Sequence, residues 1–350
     1  MNIIFGVGGR RRKLRMPKRI VFLCTLLLAS LIGLGLCVCG GQPAYIFVPM
    51  TVTGTACALL LSKASLLLTL PLRIPVRRSD IYRWTPELCA FIVYSVFLVM
   101  IMKAGSDELF PDRVMASASV SYMVAGGLLT ALPICLAHSI LAAERAQGTL
   151  EAVLLMPVNR SKLAWGRLVH LVLLGLRLMA WLLPLYWVFT YAGNLIVGQH
   201  NPPALRFATM YIFAPTYDFC NSFAVLHTTR TSAGFGAWGM LLMCGRLLRD
   251  FCSYCLASSL AFYISVRIHS FGRSLLAGVI AIPTTFAAFY VAESALFRWL
   301  HVHGWWTMTW AWSVGCLLAF LLLLSMRVLI AYRGVSLIAA GFDHYLIGEK

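Results

Sequence analysis

The chain has 350 residues, of which 60% are hydrophobic and only 12% are charged. A soluble domain of this length could not bury so much apolar surface, so the composition excludes an ordinary soluble protein and predicts an all-α integral membrane protein. The formal net charge of +17 does not indicate nucleic-acid binding, because the distribution of the basic residues follows the positive-inside bias of membrane proteins.

Long apolar stretches with few charges predict membrane-spanning helices. About eight such stretches follow one another along the chain, separated by polar segments. The third is shorter than a bilayer requires, and the second and sixth are longer. The predicted spans are Ile20–Cys39, Tyr45–Leu72, Leu88–Met102, Ser119–Leu141, Leu168–Tyr191, Ala237–Val266, Leu275–Val291 and Trp306–Met326.

The distribution of basic residues predicts the orientation of these spans. With eight spans, five basic segments share one face of the membrane and hold 20 of the 29 Lys and Arg residues. The positive-inside rule places that face in the cytoplasm. We therefore predict a multi-pass protein of the cell (inner) membrane with both termini in the cytoplasm and membrane lipid around it. The segments are residues 1–19, Arg73–Arg83, Arg145–Arg167, Arg267–Arg273 and the tail from Arg327 onward.

The largest external segment comprises residues 192–236. Its middle part, residues 207–226, is half apolar and rich in aromatic residues, which fits a ninth span, a re-entrant hairpin or a helix along the outer interface. A ninth span would move Arg267 and Arg273 to the outside. The charge distribution therefore favours the interfacial or re-entrant alternative.

The segment Glu144–Arg167 is a polar, charged break between two apolar stretches. Leu150, Val153 and Leu154 lie three and four residues apart, on one face of a short helix, and Pro157 ends that helix. Asn159 suits the cap of the next helix. Because two turns are not stable alone in water, the short helix needs a surface. The spacing fits a helix resting on lipid headgroups and a helix seated in a cleft of a partner protein equally well.

The run LAAERAQGTLEAVLLMPVNRSKLAWGRL resembles the loop after the second core helix of ABC-2 type permeases, the membrane subunits of ATP-binding-cassette exporters. The family pattern is ER-x-x-GTLE, then LL-x-x-P-[LV]-x-R, then Gly-Lys. This chain departs from it in two places, with LL-x-P, which is one residue shorter, and with Gly-Arg in place of Gly-Lys. The resemblance continues more weakly at Leu183–Leu185 and Leu256–Leu260. The matching loop residues are Glu144, Arg145, Gly148, Thr149, Leu150, Glu151, Leu154, Leu155, Pro157, Val158, Arg160, Gly166 and Arg167.

The resemblance implies a six-helix permease core at residues 83–350, preceded by a basic arm at residues 1–19 and an additional transmembrane hairpin at residues 20–82. The loop 144–167 would be the coupling helix, whose residues from Glu144 to Arg160 bind a separate ATPase subunit. The chain has no G-x-x-x-x-G-K-[ST] phosphate loop, so ATP and Mg are expected on that partner and no cofactor on this chain. A second permease subunit, identical or different, would complete the exporter.

Ionisable residues within spans indicate function because burying a charge in lipid is costly. Arg177, near the middle of the fifth span, and Glu293, just past the seventh, are therefore candidates for the translocation path. For Arg246 and Arg249 we expect a short interfacial helix before the true span begins near Phe251.

The alternative function is an integral-membrane enzyme acting on a lipid or polyprenyl substrate. Such an enzyme needs paired carboxylates or a histidine cluster at the cytoplasmic interface. The acidic residues expected there are scattered, which disfavours catalysis and a metal site. They are Asp80, Glu87, Glu144, Glu151, Asp343 and Glu349.

Overall fold

The computed structural model describes residues 18–39, 43–69, 80–103, 110–146, 150, 154–155, 159–188, 232–268, 270–302 and 309–347. The arm 1–17 and the segment 189–231 lie outside the described residues, and with them the three alternatives for residues 207–226. The described part of the chain is helical throughout and contains no strand.

Eight long helices make up this described part, and a 3₁₀ turn at Pro43–Ile46 leads into the second of them. The helical conformation continues past the fifth helix through residues 183–188. The helices are α1 (Lys18–Cys39), α2 (Phe47–Thr69), α3 (Asp80–Lys103), α4 (Phe110–Ala146), α5 (Arg160–Trp181), α6 (Ser232–Arg267), α7 (Phe271–Val302) and α8 (Thr309–Ile347).

Six of the described helices are long and apolar enough to cross a membrane, which confirms a multi-pass, all-α membrane protein. The second and sixth predicted spans, in α2 and α6, are not among the six; α2 has the shorter apolar stretch Phe47–Ser62. The six stretches are Ile20–Cys37, Thr85–Lys103, Ala116–Leu141, Arg160–Trp181, Gly272–Phe289 and Leu321–Phe342.

The last helix continues past the span that the sequence predicted. The apolar run Trp306–Met326 suggested a span ending just before Arg327, whereas the described residues of α8 include an apolar stretch, Leu321–Phe342, that contains Arg327. Helix α8 has 39 residues and is therefore about 58 Å long, nearly twice the hydrocarbon thickness of a bilayer. Helix α8 therefore continues well past Met326, where the predicted span ends.

Helix α6 lies at the centre of the bundle, where it contacts α4, α5, α7 and α8. It is also a polar helix, with Ser258, Ser259 and Ser265 buried and Asp250 largely so. Polar side chains at this depth need partners within the protein, because lipid offers none. Helix α6 is too polar to count among the six apolar helices, and its central position explains how such a polar helix is accommodated.

Small residues bring α6 and α8 together. A Cβ added to Gly334 would lie 2.0 Å from Oγ of Ser259, and one added to Gly341 would lie 2.8 Å from Cγ1 of Val266. The Ser259 hydroxyl also donates a hydrogen bond to the carbonyl oxygen of Ala331 at 3.1 Å. Contacts of this kind are typical of membrane helices, which associate through close backbone approach. The contacting pairs advance in the same direction, so α6 and α8 run parallel.

The amino-terminal hairpin, α1 and α2, packs against the rest of the bundle mainly through α2, which contacts α5, while α1 makes a smaller contact with α6. The hydroxyl of Thr53 donates to that of Ser30 at 3.0 Å, which joins the two helices. A Cβ added to Gly54 would lie 2.4 Å from the carbonyl oxygen of Ala180 in α5. Glycine is therefore required where α2 crosses α5.

We predict that Gly54→Ala destabilises the protein by about 1–3 kcal/mol, because the added methyl group meets backbone atoms that cannot move aside. Thermal unfolding in detergent measures the effect. Gly35→Ala on α1 is the matched control, because a Cβ there meets no atom within 4 Å. Equal melting temperatures for the two variants would contradict the close crossing of α2 and α5.

Candidate functional site

The loop between α4 and α5 folds back onto the bundle. Leu150 and Leu154 are buried and belong to the main hydrophobic core, which confirms the prediction that they share one face. The next residue, Leu155, is 77% exposed. The segment is therefore held against the bundle by the buried side chains of Leu150 and Leu154, and the side chain of Leu155 is exposed on its surface.

The start of α5 is capped as the sequence predicted. Asn159 is the N-cap, and its side-chain oxygen accepts a hydrogen bond from the backbone nitrogen of Ser161 at 2.9 Å. Shortly after the cap, the rings of Trp165 and Tyr332 lie 5.9 Å apart between their centroids. This contact places the end of the loop beside α8.

The remaining predicted loop residues are only partly described. Glu144 and Arg145 lie in the last turn of α4, and Arg160 is the first residue of α5 and is half-buried. Five predicted partner-binding residues lie outside the described residues: Gly148, Thr149, Glu151, Pro157 and Val158.

Arg177, a candidate for the translocation path, forms an ion pair between α5 and α3. Its Nη2 donates to Oε1 of Glu87, and Nε1 of Trp181 donates to the same oxygen at 3.3 Å. The hydroxyl of Tyr94 completes the network by donating to the carbonyl oxygen of Trp181 at 2.8 Å. The two charged side chains are only 11% and 23% exposed.

The surroundings of Glu87 differ from the prediction, which grouped it with the scattered acidic residues of the cytoplasmic face. Glu87 lies near the start of the apolar stretch Thr85–Lys103 and pairs with Arg177. The other candidate, Glu293, lies in α7 beyond the apolar stretch Gly272–Phe289.

A second polar cluster joins α4, α6 and the helical residues 183–188. Oδ2 of Asp250 accepts hydrogen bonds from the hydroxyls of Tyr122 and Tyr186, the latter at 2.7 Å. Nη2 of Arg249 approaches Oδ1 of Asp250 at 3.5 Å. Both tyrosines are buried, and their rings meet edge to face at 5.3 Å. One carboxylate therefore links three parts of the bundle.

The environment of Arg249 also differs from the expectation. The sequence predicted a separate interfacial helix before Phe251, but α6 is one continuous helix from Ser232 to Arg267. The Arg249 side chain is 11% exposed, because α4, α7 and α8 pack around it at this level. For Arg246, the structure describes only its position in α6.

The sequence assigned Arg327 to the tail that follows the last predicted span. In the structure the residue lies in the apolar stretch Leu321–Phe342 of α8 and is 5% exposed. Its Cζ stands 5.0 Å from the ring centroid of Phe289 in α7, a cation–π distance. No pattern of spacing connects Arg327 with Asp250 or Tyr122, which lie far away in the chain.

Arg327, Arg249, Asp250 and Tyr122 line one cavity of about 300 Å³. Within the described residues, no group of three or more His, Cys, Asp or Glu side chains is placed to hold a metal ion. The cavity therefore offers hydrogen-bond donors, guanidinium groups and aromatic faces as its means of binding.

The six apolar spans, the polar central helix and the buried charge clusters define a multi-pass helical membrane protein. Comparison with protein family models, with curated proteins and with solved structures found no match to the chain.

We predict that Arg177→Gln destabilises the protein by about 3–5 kcal/mol, because it leaves the Glu87 carboxylate buried without its cation. The double variant Glu87→Gln/Arg177→Gln is expected to lose less than the sum of the two single variants. A double-mutant cycle of unfolding in detergent measures this coupling. Lys162→Gln, at an exposed position of the same helix, is the control. Additive losses would contradict the ion pair.

Proposed function

We propose that the chain is the permease subunit of an ATP-driven exporter of the ABC-2 type. The observation that carries this proposal is the loop 144–167, whose residues match the coupling-loop pattern of that family. The geometry of the described loop supports it: Leu150 and Leu154 hold the segment against the helices, and Leu155 is presented outward. A docking element needs both a rigid base and an exposed contact residue.

The partner in this proposal is a separate ATP-binding subunit. The chain itself lacks the glycine-rich phosphate loop that binds ATP and Mg. Closure of two ATPase subunits would push on the two loops of a permease dimer. Because α4 and α5 continue directly from the loop and both contact α6, a displacement of the loop would move the walls of the central polar region.

The orientation in this proposal follows from charge. The loop and both termini lie in the cytoplasm, because most Lys and Arg residues fall on that face. Moving Arg327 and Arg333 into the span of α8 removes two charges from the cytoplasmic count and leaves the bias in the same direction. Arg177 and Glu293 remain our candidates for residues along the translocation path.

We predict that the tagged chain, extracted in mild detergent from cells that produce it naturally, recovers an ATPase with a phosphate loop. Leu155→Asp should lower the recovered ATPase about ten-fold, the effect of losing one anchor residue of an interface. Quantitative mass spectrometry of the purified complex measures the ratio of ATPase to permease.

The matched control for Leu155→Asp is Gly272→Asp. Gly272 is exposed next to the turn between α6 and α7, and a Cβ there meets no atom within 4 Å. An acidic residue in the first turn of α7 is also compatible with the helix dipole. Absence of any ATPase from the unmodified complex would overturn the proposed function, and equal recovery with both variants would exclude Leu155 as an anchor.

We predict opposite accessibility for the two ends of the bundle. A cysteine at exposed Ser161, at the start of α5, should react with an impermeant maleimide only after the cells are permeabilised. A cysteine at exposed Lys103, at the end of α3, should react in intact cells. The unmodified chain corrects for its native cysteines. Reaction of both cysteines from the same side would contradict the topology.

A further inference from the structure

The cavity between α4, α6, α7 and α8 has the character of a ligand site. Its volume of about 300 Å³ is at the lower end of the range for small-molecule sites, which suits a compact polar group better than a whole lipid. Its lining combines charged and apolar side chains. They include Tyr122, Leu129, Arg249, Asp250, Phe286 and Arg327.

The carboxylate in this lining is already engaged. Two tyrosine hydroxyls donate to Oδ2 of Asp250, and Arg249 lies against Oδ1 at 3.5 Å. A cationic ligand would have to displace these donors to reach the carboxylate. The arrangement therefore disfavours a cation as the occupant.

The two guanidinium groups favour an anion instead. Each guanidinium carries five N–H donors, so it can serve a neighbouring residue and still offer donors to a ligand. The fork of these donors matches the oxygens of phosphate and carboxylate groups. Arg249 and Arg327 approach the cavity from different helices, α6 and α8, and could hold one oxyanion between them.

The position of the cavity indicates how such an anion arrives. Asp250 precedes the end of α6 at Arg267 by about 25 Å of helix, and Arg327 precedes the end of α8 at Ile347 by about 30 Å. The cavity is thus near the middle of both helices, among apolar spans. An anion carried by an apolar tail reaches this depth from the lipid, with its tail along side chains such as Leu129 and Phe286.

We propose that this cavity binds the phosphate or carboxylate group of an anionic amphiphile. The binding site is argued from the cavity alone; that its ligand is the transported cargo rests on the proposed function.

The test measures binding to the purified full chain in an uncharged detergent, by native mass spectrometry. The probes are dioleoyl phosphatidylglycerol and dioleoylglycerol, which share their tails and differ in the anionic group. The first is expected to bind at least about ten-fold more tightly, the effect of one charge-assisted hydrogen bond. Competition by soluble glycerol phosphate would assign the site to free anions as well; its failure to compete would restrict the site to lipid headgroups.

Two variants locate the binding in the cavity. Arg327→Gln removes a guanidinium, and Gly126→Leu fills the cavity without removing a charge; each should weaken phosphatidylglycerol binding about ten-fold. Their matched controls are Arg333→Gln, at an exposed position of α8, and Gly127→Leu. Both glycines have no atom within 4 Å of an added Cβ, but only Gly126 lines the cavity. The controls should bind as the unmodified chain does.

Equal binding of the two lipids would overturn the proposal. Unchanged phosphatidylglycerol binding by Gly126→Leu would overturn it as well, because this variant fills the cavity without altering any charge. The measurement uses neither ATP nor a partner subunit. A negative result in this binding measurement is therefore distinguishable from a failure to recover an ATPase. The latter would overturn the proposed function but would not contradict the binding site.

Discussion

The need to satisfy charge away from water determines the architecture of this bundle. A carboxylate among apolar spans requires donors close by, and Asp250 obtains them from Tyr122, Tyr186 and Arg249. These contacts oblige α4, the helical residues 183–188 and α6 to meet at one level. The remaining polar groups of α6 are buried by its neighbours, so a helix too polar to face lipid occupies the centre and the apolar helices surround it.

A second constraint of the same kind ties α3 to α5. The pair of Glu87 and Arg177, with Trp181 beside it, joins these helices at a level where both charged side chains are largely buried. Buried pairs of this kind contribute little net stability against apolar substitutes, but they penalise any arrangement that separates them. In a bundle whose other contacts are mostly apolar, such pairs determine which helix lies beside which.

Rigid connections relate the loop 144–167 to the cavity. Helices α4 and α5 begin or end at the loop, and both pack on α6, so the proposed docking surface and the proposed binding site share the same walls. Leu155 is exposed in the loop, and Arg327 is buried at the cavity. A permease that converts a push at the cytoplasmic surface into altered access at a cavity between the helices would require this arrangement of stiff elements.

Hydropathy and local hydrogen bonding act within a short stretch of chain, so the class of protein, most helix positions and the capped start of α5 at Asn159 could be predicted from the sequence. The sequence also singled out Arg177 and the buried face of Leu150 and Leu154. The tertiary structure was needed to show that Glu87 pairs with Arg177 and that Arg327 lines one cavity with Asp250 and Tyr122. These contacts join residues 70 or more positions apart, and their proximity follows from helix packing, which produces no periodic pattern in the sequence.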